Sequence, residues 1–199
     1  MGLVISSQLK KYSLRNGLIL GLILLAFNII SFYLITTIVK SPIGVIGVPY
    51  LFSIILPIPF AIIACFNLRI LIKWPWNFRI ATSGIFIMFL VAYLVIFIGR
   101  DLVFAHLIEP NMNTKVENVI LAATPVALKK SGANEKQIAE KQQEIRNQFT
   151  AQDHPTLGQE IQSIITSVIF IFIFALIFGA FFKSAAPGYE AMADNETAT

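Results

Sequence analysis

The chain has 199 residues, of which 56% are hydrophobic and 13% charged, with a formal net charge of +4. Soluble domains carry about 25% charged residues, so this balance, with 17 Phe, excludes an ordinary soluble fold. The basic surplus does not point to nucleic acid, because much of it flanks apolar segments and so reports topology.

A spanning helix needs roughly 20 mostly apolar residues to cross ~30 Å of hydrocarbon, and four segments meet that requirement. The first, 16–39, has no charge between Arg15 and Lys40. Lys10, Lys11 and Arg15 before it resemble the start of a secretory signal. The apolar run is too long for a signal core of about 7–15 residues and no cleavage pattern follows, so it reads as a retained span. Met1-Gly2 with Ser6 fits the loose myristoylation pattern, from which a chain already in the bilayer gains little. The second span, 48–72, follows a turn-rich stretch over 41–47. Pro49 suits a first helical position, whereas Pro57 and Pro59 fall mid-span and bend the helix. The carbonyls they free make Ser53, Pro57 and Pro59 a candidate kink pocket, faced by Asn28 or Tyr93. Arg69, Lys73, Trp74, Pro75 and Trp76 close this span as a cytoplasmic interface anchor.

The third span, 79–99, is expected to continue as helix to Ile108, where Pro110 stops it. The fourth, 161–182, has polar first turns and ends at Lys183. The tail 185–199 is small and acidic without apolar period, and is expected to be a disordered cytoplasmic segment. A lone cysteine, Cys65, lies inside an apolar run, which excludes an intrachain disulfide and makes it a packing residue.

Orientation follows from the Lys and Arg of the short connections. Lys10, Lys11 and Arg15 precede span one, Arg69, Lys73 and Arg79 surround the second connection, and Lys183 follows span four, against Lys40 alone in the first connection. Both termini are therefore expected in the cytoplasm, and the insert 109–159 outside it.

That insert reads as a helical hairpin. Thr114-Lys115-Val116-Glu117 and Asn134-Glu135-Lys136-Gln137 both fit a capping box, in which each end's side chain bonds the other's N–H. Pro125 kinks or limits the first helix, and Gly132 suits its end. In the second, Ile138, Gln142, Ile145 and Phe149 form one narrow stripe. About 35 residues cannot bury much core alone. Ile138, Ile145 and Phe149 must cover the spans, lie in the lipid interface or offer a face to a partner.

Chemistry is sparse. Asp101, His106 and Glu109 near the end of span three, with Asp153 and His154 after the hairpin, are the residue types of a metal site. Asp101, five residues before His106, does not share its α-helical face, and an interfacial polar cap is the plainer reading. There is no nucleophile elbow, zincin motif or Gly-rich phosphate loop, and no charge between the flanks of a span to mark an ion path, since Arg69 lies within a turn of Lys73 and can snorkel. No catalytic residue, metal or cofactor is assigned. Gly17-x-x-x-Gly21 and Ala175-x-x-x-Gly179 allow close helix approach, within the chain or in a dimer.

The start Lys10-Lys11-Tyr12, the run Arg15-Asn16-Gly17-Leu18-Ile19-Leu20-Gly21, the long insert and Lys183 after the last span resemble a bacterial domain-of-unknown-function family of small four-span membrane proteins. Within the insert, the segment from Ser131 to Glu140 looks like that family's Gly-x-Ser-Glu-Glu-Glu-Ile stretch, while Pro49, Pro57 and Pro59 depart from the pattern. The resemblance implies an inner-membrane location and brings no activity. The expected fold is an all-α membrane protein with four transmembrane helices and an extracytoplasmic helical hairpin between helices 3 and 4. The expected function is that of a non-enzymatic accessory or interaction protein, partnered by the lipid bilayer and by its own copies or a membrane or envelope protein, with no nucleic acid. The alternatives are a small-solute transport or permeability subunit lined near Ser53, Pro57 and Asn28, and a membrane enzyme using His106 and Glu109 at the outer interface.

Overall fold

A computed structural model describes residues 7–72, 76–153 and 156–183. Every regular element in them is helical. Helix α1 (Ser7–Tyr33) continues as a π-helical stretch over Leu34–Ile38. Then come α2 (Pro42–Tyr50), a π stretch over Leu51–Ile55, and α3 (Pro57–Ile72). Helix α4 (Phe78–Ile96) runs on as π-helix over Phe97–Ile108. Helices α5 (Met112–Lys130), α6 (Glu135–Asp153) and α7 (Leu157–Phe182) follow.

Four spans are long and apolar enough to cross a membrane: Ser7–Ile38, Pro42–Ile72, Phe78–Ile108 and Leu157–Phe182. The shortest has 26 residues, about 39 Å at ~1.5 Å per residue, which exceeds the ~30 Å of hydrocarbon. Their outward side chains are apolar and uncovered, as at Ile54, Ile63, Phe174 and Phe181. Water would penalise such a surface and lipid does not. The chain is a multi-pass membrane protein.

Several boundaries differ from the sequence reading. Span one is helical from Ser7, so Lys10, Lys11 and Arg15 lie on its first turns. The second span starts at Pro42 instead of 48. Ser41 caps it, its Oγ accepting from the Gly44 N–H at 3.1 Å, and Pro42, not Pro49, takes the first helical position that needs no donor. Pro57 and Pro59 stand at the start of α3, directly after a π stretch. The Leu56 N–H reaches back five residues to the Leu51 carbonyl at 2.9 Å, the wide π turn, and α3 then restarts at Pro57. Both prolines thereby fall in a first turn, where N–H groups have no intrahelical acceptor. The third span runs to Ile108 and ends at Glu109, ahead of Pro110, as expected. The fourth begins at Leu157, not 161, because Thr156 and Gln159 form a reciprocal box that the sequence reading passed over. Gln159 Oε1 accepts from the Thr156 N–H at 2.8 Å, and Thr156 Oγ1 from the Gln159 N–H at 3.3 Å.

The myristoylation match at Met1, Gly2 and Ser6, the anchor residues Lys73, Trp74 and Pro75, His154, and the tail 185–199 lie outside the described residues, as does the side chain of Asp153.

The chain divides into two compact units. The first draws on Met1–Leu22, Pro59–Val95 and Ile165–Thr199. Its core comprises Leu9, Cys65, Leu68, Ile72, Trp76, Ala81, Ile85, Met88 and Ala175. Trp76 is 2% exposed, which corrects its reading as an interface anchor. The small residues of α1 and α7 both meet α4. A Cβ on Gly17 would lie 2.8 Å from that of Val91, and one on Gly21 would lie 3.0 Å from the Cα of Ala92. A Cβ on Gly179 would collide with the Thr82 hydroxyl, while Ala175 is fully buried. Edge-to-face ring pairs, Phe86 with Phe172 and Phe89 with Phe178, join α4 to α7 beside these close approaches.

The second unit draws on Ile23–Ile58 and Ile96–Ile164. Within it α5 lies on α2 and on the Leu34–Ile38 stretch, and α6 lies on α5. The Thr114 capping box does not form: the helix begins at Met112, with Asn111 at its cap making no side-chain bond. The second box does form, Asn134 Oδ1 accepting from the Gln137 N–H at 2.8 Å and Gln137 Oε1 from the Asn134 N–H at 3.0 Å. Between the helices Gly132 takes φ 84°. The Ala133 N–H bonds Leu128 and the Gly132 N–H bonds Lys129, which closes α5 in a Schellman motif that only glycine enters without strain.

Pro125 lies inside α5 and does not end it. Lacking an N–H, it leaves the Leu121 carbonyl without its helical donor. Gln142 Nε2 of α6 supplies one at 3.3 Å, which explains a polar residue in the apolar stripe. Gln142→Leu is therefore expected to cost about 1–3 kcal/mol, the penalty of an orphaned buried acceptor. Pro125→Ala, which restores the helical N–H, should recover most of that loss in the double variant. Additive losses in thermal unfolding of the four proteins of this cycle would exclude the link.

Candidate functional site

A cavity with polar and charged lining lies in the second unit. It is a cleft of about 460 Å³ between the end of span one and the start of α5, with Glu109 at its edge. Span one supplies Phe32, Tyr33, Thr36 and Thr37, and α5 supplies Lys115, Asn118 and Val119. Phe32 is buried and meets Phe104 edge to face at 5.5 Å, and Tyr33 meets the same ring at 6.0 Å, which gives the cleft a rigid aromatic floor. The hydroxyls of Thr36 and Thr37 donate to the Phe32 and Tyr33 carbonyls at 2.7 and 2.6 Å. Their protons are thus committed and their oxygens remain as acceptors.

Glu109 follows the last π turn, where its N–H bonds the Phe104 carbonyl. Pro110 and the Met112 N–H to Glu109 carbonyl bond then turn the chain into α5. That turn brings Lys115 back over Glu109, and the two form an ion pair. The Glu109 side chain is 18% exposed and that of Lys115 49%, so the carboxylate is the more desolvated partner. The Tyr33 hydroxyl stands 3.5 Å from the second carboxylate oxygen, a marginal hydrogen bond.

Among the described residues, the candidate metal ligands do not converge. His106 is exposed, and its Nδ1 sits 2.8 Å from the Asp101 backbone carbonyl. In a π-helix five residues make about one turn, so Asp101 and His106 do share a face, contrary to the α-helical reading. The Asp101 carboxylate instead lies 3.8 Å from Arg100 Nε. Among the described residues, no three His, Cys, Asp or Glu side chains group so as to hold a metal ion.

Of the other candidates, Ser53 is an exposed side chain on the Leu51–Ile55 stretch, and Asn28 donates to the Leu24 carbonyl of its own helix at 2.9 Å. Ile138 and Ile145 are 7% and 8% exposed and Phe149 is half-buried, on the helix that packs against α5. Gly17, Gly21, Ala175 and Gly179 lie in the first unit.

The sequence reading weighed Glu109 but missed Tyr33, Thr36, Thr37, Lys115 and Asn118. A Thr-Thr pair at the end of an apolar span, preceded by Tyr, is a local signal for a polar terminus. No local signal connects Tyr33 with Glu109, 76 residues later.

No curated protein and no solved structure matches the chain. Residues 15–184 match the family described as "Protein of unknown function (DUF4199)". With most of its length matched and its four apolar spans inside or overlapping that range, the chain belongs to the DUF4199 family.

Proposed function

We propose that this protein is a non-enzymatic accessory protein of a bacterial cytoplasmic membrane. Both termini would lie in the cytoplasm and the α5–α6 hairpin on the opposite side. The carrying observation is how α6 is used. Its apolar stripe faces into the chain, and its remaining surface is exposed and charged, with Glu135, Lys136, Glu140, Lys141, Glu144 and Arg146. The ion pairs on that surface, such as Lys141 with Glu144 at 2.7 Å, add only about 0.2–0.5 kcal/mol each, so stability does not require them. Such a surface suits a polar contact with a membrane or envelope protein. The small-residue faces of α1 and α7 meet α4, so this reading does not assign them to a dimer seam. Orientation rests on the clustering of Lys10, Lys11, Arg15, Arg69, Arg79 and Lys183 opposite Lys40.

Cys65 is fully buried, so it leaves a silent background for thiol labelling. A membrane-impermeant maleimide added to intact spheroplasts should label Gln143→Cys, and should label Lys11→Cys only after lysis. The reverse pattern overturns the orientation. A photo-crosslinker at position 143 should capture a membrane or envelope protein that one at position 138 does not. Capture at neither position removes the accessory reading.

A further inference from the structure

We propose that the cleft beside Glu109 binds a phosphoethanolamine group, its ammonium on Glu109 and its phosphate on Lys115. This goes beyond the accessory role and does not depend on the partner proposed for α6.

The two charges have unspent capacity. A carboxylate has about four acceptor positions and an ammonium has three donors. Lys115 takes one carboxylate oxygen, and among the described residues the other meets only the Tyr33 hydroxyl, at 3.5 Å. That second oxygen is the natural seat for an incoming ammonium. The Thr36 and Thr37 oxygens, their protons already donated, offer only lone pairs to the same cleft. One side of the cleft is therefore acceptor-rich. The α5 side carries the Lys115 ammonium, with two N–H groups uncommitted among the described residues, and Asn118, one helical turn further on, whose amide both donates and accepts. A paired carboxylate and ammonium, each with bonding capacity left, suit a ligand carrying both charge signs. A purely anionic group would meet Glu109, and a purely cationic one Lys115.

The position selects as well. The cleft opens at the end of span one, and nearby apolar side chains at the ends of the spans are strongly exposed: Ile38 at 68%, Ile43 at 78% and Leu107 at 77%. A headgroup in the cleft would leave its acyl chains against such side chains. The same chemistry could arrive as a free glycerophosphoethanolamine, so both sources are tested.

The full-length protein is reconstituted in nanodiscs of mixed phosphatidylethanolamine, phosphatidylglycerol and phosphatidylcholine, and the lipid retained through stringent detergent extraction is identified by native mass spectrometry. In parallel, soluble glycerophosphoethanolamine is titrated calorimetrically. Selective retention of phosphatidylethanolamine supports the lipid source. Saturable binding of the soluble compound without lipid selectivity supports the free source. Either signal should weaken at least about tenfold, which corresponds to about 1.4 kcal/mol, in Glu109→Gln. Because that change also breaks an ion pair, Asn118→Leu serves as the second variant, since it removes the amide from the α5 side of the cleft and leaves the pair intact. It should lose binding with an unchanged thermal midpoint. Absence of both signals in the wild type, or binding that persists in both variants, overturns the proposal.

Discussion

Gly179→Leu is expected to lower the thermal midpoint of the detergent-solubilised protein without changing its mass. A Cβ at this position would collide with the Thr82 hydroxyl and sit 3.1 Å from both the Thr82 Cα and N. Two of those obstacles are backbone and cannot rotate away. Overpacking costs about 1–3 kcal/mol and more where relaxation is blocked, so a loss near 3 kcal/mol is expected, roughly 6–12 °C for a chain of this size. Gly21→Leu should behave alike, since its Cβ would lie 3.0 Å from the Ala92 Cα and carbonyl oxygen. Gly47→Ala is the control: nothing lies within 4 Å of a Cβ there, and a helical alanine is favoured over glycine by about 0.5–1 kcal/mol. Were these glycines a dimer seam instead, the leucine variants would turn a dimer into a monomer and keep the midpoint. Light scattering beside the melting curve separates the two results.

What the sequence made legible follows from what a bilayer forbids. Charge is costly in hydrocarbon, so the uncharged runs located all four spans to within several residues. Local chemistry read well where it closes on itself: Asn134 with Gln137, Gly132 after Lys130, Pro110 after Ile108. It read badly where two local solutions compete. Thr114 and Glu117 have the right spacing for a box, but the turn at Pro110 places Asn111 at the cap and leaves Thr114 inside the first turn. Pro57 and Pro59 read as mid-span residues, whereas a preceding π turn lets both stand in a first turn, where no donor is missed.

The cleft was illegible for another reason. π-helix at the ends of spans one and three changes which side chains share a face, and periodicity arguments assume 3.6 residues per turn. The α-helical spacing that separated Asp101 from His106 failed on this point. The cleft's walls also come from segments far apart in the chain, and one sequence carries no record of their meeting. The same limit hid which helix the Gly17 and Gly179 faces would meet. Spacing identified both faces, but only the packing shows that α4 receives them.

Ile138→Asp and Ile145→Asp are expected to detach α6 from α5 while the spans stay folded. The two side chains are 7% and 8% exposed. Truncating a buried Ile to Ala costs about 2–5 kcal/mol, and an aspartate adds the cost of placing a carboxylate among apolar atoms. A pair of helices this short has little else to hold it, since the Gln142 bond to the Leu121 carbonyl contributes only about 1 kcal/mol net. Amide exchange within Glu135–Asp153 should therefore accelerate by about a hundredfold or more, the factor matching ~2.7 kcal/mol, with exchange in α4 unchanged. Gln143→Asp, on the exposed side of the same helix, should leave α6 protected. The competing account, in which the stripe waits for another protein, makes the opposite demand: α6 of the purified wild type would already exchange freely, and the substitutions would alter nothing until a partner is added. Protection of α6 in the isolated protein thus decides whether the stripe belongs to the fold or to an interface, and it does so before any partner is known.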